Sequence, residues 1–158
     1  MKILFVVGAS MLAAMFQMPS TPPVKMGLWE GSVAMKMSGA DMPAGMAGIG
    51  NRTTVVRSCY TPESYAKAMA SSQQQKDCVR SNEVWGAKSW SFDMSCRSGQ
   101  AKGHFEMNFD STEAAHGSMH MTMNPGTGHP MEMDTTMTMH YLGADCGNVS
   151  PDKPQIVK

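Results

Sequence analysis

Charge is scarce in this sequence: Asp, Glu, Lys and Arg make up 16% of 158 residues, against roughly 25% in ordinary soluble domains. The thirteen basic and thirteen acidic residues cancel, and neither sign forms a run. Without a basic stripe there is no electrostatic grip on phosphates, which sets aside nucleic-acid binding and attraction to an anionic membrane surface. Beyond Phe16 no apolar stretch approaches the ~20 residues a membrane span needs. Catalytic signatures are missing as well. There is no G-x-S-x-G, no H-E-x-x-H, no P-loop, and no G-x-G-x-x-G opening a helix after a strand. His116-Gly117-Ser118 with Glu132 or Asp134 can be fitted to a triad on paper, but their spacing suits solvated strand residues equally well. The reading is a non-enzymatic chain without a cofactor.

What is present begins with an export signal. Met1-Lys2 and the apolar stretch Ile3 to Phe16 have the charge and length of a signal peptide, too short to span a bilayer. Residues 1–20 are assigned to it, with the cleavage point open. Residues 21–150 then form one β-rich domain and 151–158 a C-terminal tail, in a periplasmic or secreted protein with no span left after signal removal. Four cysteines, Cys59, Cys78, Cys96 and Cys146, are even in number and spaced too widely for a zinc knuckle. In an oxidising compartment they read as two disulfides with three possible connectivities. Trp85-Gly86-Ala87-Lys88 lies midway between Cys78 and Cys96 and reads as a hairpin turn, so these two are expected to face each other. Cys59 with Cys146 follows by elimination.

Residues alternate with period two along most of the chain. Gly27 to Met37 opens the domain as a strand, Ser38 to Gly50 reads as a mobile loop, and the β-branched cluster of Arg52 to Tyr60 as a second strand. Thr61-Pro62-Glu63 supplies an N-cap, a first-turn proline and a first-turn acid for one short helix that fades into the polar run Ser71 to Gln75. Trp90, Phe92 and Met94 alternate cleanly, whereas Val79 to Trp85 alternates poorly. Opposing Phe109 with Ala115 sets Phe105 across from Met119; opposing Met123 with Met131 sets Met121 across from Met133. One face then carries Phe105, Met107, Phe109, Met119, Met121, Met123, Met131, Met133, Met137 and Met139, and the other is polar. One dry and one wet face marks an antiparallel sheet. The fold class is mainly β (α+β): a strongly twisted antiparallel meander of about seven strands, curling towards a barrel, with one short helix.

Gly27-Leu28-Trp29-Glu30, the loop containing Met42-Pro43-Ala44-Gly45-Met46, Cys59-Tyr60-Thr61-Pro62-Glu63, Cys78, Cys96 and Gly143-Ala144-Asp145-Cys146 occur in an order and spacing that resembles the bacterial exported family called domain of unknown function 3617. The resemblance covers most of the chain after the signal. It implies a bacterial envelope protein, with no catalytic residue to carry over.

Nineteen methionines remain to be explained. Flexible, polarizable thioethers fill irregular cores and adaptable surfaces, so a Met- and Phe-lined face, with Trp29, Trp85 and Trp90 as anchors or walls, suits an apolar or amphiphilic partner: a hydrophobic small molecule, lipid or peptide. The alternative is soft-metal buffering, since thioethers select Cu(I) and Ag(I). The loop residues Met42 and Met46 are the better-placed ligands for that. On the wet face the same register sets His104 opposite His120 with Asp134 next, a row able to hold Zn(II) or Cu(II), where the plainer reading is a solvated polar surface.

Overall fold

A computed structural model of the protein describes residues 23–39, 51–73, 77–124 and 129–157. The export signal, Met42 and Met46 lie outside the described residues. The chain runs through β1 (Gly27–Ser38), β2 (Asn51–Tyr60), α1 (Pro62–Gln73), β3 (Cys78–Trp85), β4 (Ser89–Cys96), β5 (Ala101–Ser111), β6 (Ala114–Met123), β7 (Met131–Gly143) and β8 (Gln155–Ile156). In space the order is β3-β4-β5-β6-β7-β1-β2-β8, every neighbour antiparallel. The meander from β3 to β7 thus returns to the first hairpin. The sheet curls without closing, and β3 and β8 are its edges. Gln155 and Ile156, in the expected tail, instead extend the sheet, Ile156 opposite Val56.

The alternation pins the register, because a one-residue slip would turn every apolar side chain to water. Phe109 faces Ala115, Phe105 faces Met119, Met121 faces Met133 and Met123 faces Met131, as the pattern requires. Thr135 completes the series on the inner face. It is only 5% exposed, and its hydroxyl has no hydrogen-bond partner among the described residues.

Methionine is matched to glycine across the strands. Gly31 lies opposite Met139, Gly103 opposite Met121 and Gly117 opposite Met107. A Cβ on Gly117 would stand 2.6 Å from the Glu106 carbonyl oxygen and 3.2 Å from Met107 Sδ; on Gly103 it would stand 2.7 Å from Met121 Cγ. Each of these two glycines leaves room for a long unbranched side chain to lie flat across its neighbour strand, which lets the sheet bend tightly and still fill its concave side.

The helix begins where two side chains satisfy each other's backbone. Thr61 Oγ1 accepts the Ser64 N–H at 3.1 Å, and Ser64 Oγ accepts the Thr61 N–H at 2.8 Å, with Pro62 at the first helical position. From there Met69 packs on the core of Trp90, Phe92, Met107 and Ala115. Two disulfides fix the ends. Cys78 pairs with Cys96 across the β3–β4 hairpin, and Cys59 at the end of β2 joins Cys146 just after β7.

Candidate ligand-binding face

Among the described residues, one hollow lies on the concave face at each end of β6 and β7. Under the helix, Trp29, Tyr60, Tyr65, Trp90, Met107, Phe109, Ala115 and Met139 line a half-open cleft of about 160 Å³. Trp29 is its rigid wall: it is 1% exposed, its indole Nε1 donates to the Lys25 carbonyl at 2.9 Å, and Tyr60 and Tyr141 meet its ring edge-on. Burial raises the pKa of both tyrosines, Tyr60 against a hydrogen bond with Ser58 that lowers it, Tyr65 with a further push from Tyr60. These phenols therefore stay neutral. The cleft presents rings and thioethers with hardly a polar group among them.

At the other end Met94, Met119, Met121, Met123 and Met131 line a wider groove of about 690 Å³, rimmed by Asp77, Arg97, Gln100 and Asn124. The methionines on β6 and β7 here are half-buried. Of the residues expected on the apolar face, Met107, Phe109 and Met139 line the cleft and Met119, Met121, Met123 and Met131 the groove.

Between β3 and β4 a polar group enters this apolar side. Asn82 takes a positive φ of 52°, and the pairing slips between Ser81 and Val84, which turns Glu83 inward. Glu83 Oε1 accepts from the indoles of Trp90 at 2.9 Å and Trp85 at 3.1 Å. Arg80, its side chain 12% exposed, lays its guanidinium over Phe92 at 4.2 Å and Trp90 at 5.3 Å, with Nη1 3.8 Å from Glu83 Oε1. Sequence reasoning missed this cluster; the irregular alternation of Val79 to Trp85 was its only trace.

On the outer face His104 stands opposite His120, and Asp134 is next in line, as expected. The row extends further. Asp93 faces His104 from β4 and accepts from its Nδ1 at 2.7 Å; Asp134 does the same for His120 at 2.7 Å. Asn82 donates to the second Asp93 oxygen at 2.7 Å. The hydrogen bonds from Asn82 and then His104 hold the Asp93 pKa low, and that to Asp134 holds the His120 pKa high. Asp93 was legible in principle, because the alternation of Trp90, Phe92 and Met94 puts it on the wet face. Among the described residues no three His, Cys, Asp or Glu side chains are grouped to hold a metal ion. No described helix is long and apolar enough to cross a membrane.

The family model for proteins of unknown function called DUF3617 matches residues 24–146, from the segment before β1 to the second half-cystine of the long bridge. The chain belongs to the DUF3617 family. In this DUF3617 protein Cys59-Tyr60-Thr61-Pro62-Glu63 is at once strand end, bridge, cleft wall and helix cap. No curated protein matches the sequence. Among solved structures it is similar to the S-type phycobiliprotein lyase CPES from Guillardia theta, at 8% identity and a TM-score of 0.28, over 75% of this chain and 89% of that one. A likeness of that degree carries no argument about this protein.

Proposed function

We propose that this DUF3617 member is a non-enzymatic protein of the bacterial envelope, periplasmic or secreted, that binds a small apolar or amphiphilic molecule in its concave face. The observation that carries the reading is the half-open cleft beneath the helix: about 160 Å³ walled by aromatic rings and thioethers. Dry apolar cavities of roughly 150 Å³ accept a benzene-sized group. The methionine groove on the same face offers an adaptable bed for the rest of such a molecule. The two disulfides are compatible with an exported chain.

The test is fluorescence titration of the disulfide-bonded protein with N-phenyl-1-naphthylamine, followed by competition with a medium-chain fatty acid. Binding with displacement is expected. Ala115→Leu, which fills the cleft from a residue 5% exposed, should weaken it while the circular dichroism spectrum persists. No probe binding by the wild type, or binding indifferent to Ala115→Leu, would overturn the reading. Five thioethers around one groove favour a second reading, Cu(I) or Ag(I) binding, for which the same groove would supply the ligands.

A further inference from the structure

We infer that the outer face carries a divalent transition-metal site, built from the cross-strand pair His104 and His120 and taking Zn(II) or Cu(II) as its ion. The two residues are directly paired on β5 and β6. Opposite residues of an antiparallel pair keep their Cβ atoms about 4.5–5.5 Å apart. Two imidazole nitrogens that each reach a metal at about 2.0–2.1 Å in tetrahedral geometry lie roughly 3 Å from each other, a span two such rings can adopt.

The carboxylates make this more than two neighbouring histidines. His104 Nδ1 is bound to Asp93 Oδ1 on one side of the pair and His120 Nδ1 to Asp134 Oδ1 on the other, both at 2.7 Å. An imidazole that donates its Nδ1–H to a carboxylate keeps the lone pair on Nε2, turns that nitrogen outward and gains basicity as a ligand. Both side chains are about half exposed, 57% and 52%, so solvent reaches them. Asn82 in turn braces Asp93 at 2.7 Å. The arrangement is symmetric across the β5–β6 pair: carboxylate, imidazole, imidazole, carboxylate. The protein supplies two nitrogens and water completes the coordination. Asp134, which the sequence pattern suggested as a ligand, acts here as a positioning residue, and Asp93 is its counterpart.

The experiment is calorimetric titration of the disulfide-bonded protein with Zn(II), with histidine Cε1–H resonances followed by NMR. One equivalent is expected to bind, shifting the resonances of His104 and His120 together. His104→Ala or His120→Ala should each weaken binding at least tenfold. Asp93→Asn and Asp134→Asn should weaken it about 10–100-fold while both imidazoles still respond to Zn(II). His116→Ala removes an imidazole that has its own carboxylate at 2.8 Å but no histidine opposite, and should leave binding unchanged. Zn(II) binding equal in wild type and His104→Ala/His120→Ala, or lost equally with His116→Ala, would overturn the inference, as would no binding by the folded wild type.

Discussion

The two ends of the concave face are made from the same alternation and end up unlike each other. At the helix end, Trp29, Trp90, Met107 and Ala115 are buried around a narrow cleft; at the far end, Met119, Met121, Met123 and Met131 stay half-buried along an open groove. Period-two patterning selects which face a side chain is on, and what covers that face is decided elsewhere. Here α1 supplies the cover, because a mutual Thr61–Ser64 cap starts it and Met69 reaches the core. Each end also has its own bridge: Cys59–Cys146 beside the helix end, Cys78–Cys96 on the wall of the groove.

The bridges give the largest expected contrast. Cys59 and Cys146 are 87 residues apart and Cys78 and Cys96 only 18. On the chain-entropy model the long loop is worth more than about 4 kcal/mol and the short one roughly 3 kcal/mol. Replacing Cys59 and Cys146 by Ala should therefore cost more in urea unfolding than replacing Cys78 and Cys96. It should also abolish probe binding in the cleft. The reverse order would show that the open end, not the helix end, carries the stability of the domain.

Gly117 tests the bend that both ends share. In Gly117→Ala the new Cβ meets the Glu106 carbonyl at 2.6 Å, backbone that cannot swing away. Overpacking of this kind costs about 1–3 kcal/mol, read as a lower denaturant midpoint. A neutral outcome would mean that the sheet is less tightly curled.

This pairing of glycine with methionine also explains how far the sequence could be read. The strands from β1 to β7, the register of β5 to β7, the Cys78–Cys96 bridge and the cap follow from local pattern: odd-numbered apolar positions, β-branched runs, a hairpin turn, and Thr61-Pro62 ahead of an alanine-rich stretch. Cys59–Cys146 follows only by elimination, and β8 falls in the expected tail. Thr135 was invisible, because a threonine between Met133 and Met137 looks like a break in the series until the sheet places it between Met35 and Met119. Glu83 was hidden by a bulge that hydropathy does not encode, since the extra residue comes from the backbone of Asn82. The cleft was out of reach for a different reason. It depends on where α1 lands, a contact between elements with no shared period.

A smaller contrast is driven by pH and belongs to the helix end alone. Tyr60 and Tyr65 have pKa values raised by burial, so the folded state holds these protons more tightly than the unfolded one. Their contribution is complete below the ordinary tyrosine value of about 10 and is lost as pH rises through the folded-state values. Thermal unfolding should show a falling midpoint above about pH 10, and Tyr65→Phe should flatten that fall. An unchanged alkaline slope in Tyr65→Phe would place its phenol in water.

The smallest expected effect is at the open end, and it asks whether sulfur matters there or only apolar volume. Met121 and Met133 face each other across β6 and β7 on the concave side. Replacing both by Leu nearly conserves volume, a change that usually costs less than about 1.5 kcal/mol per site. If the groove is a bed for apolar molecules, the double variant folds and binds N-phenyl-1-naphthylamine within a few-fold of wild type. A soft-metal site would respond otherwise, since leucine has no lone pair to offer a soft cation. Ag(I), a redox-inert stand-in for Cu(I), separates the two with the bridges intact. We expect weak Ag(I) binding, unaltered by the double substitution. Tight binding by the wild type, lost in the double variant at an unchanged circular dichroism spectrum, would transfer the function of the open end from apolar recognition to thioether coordination.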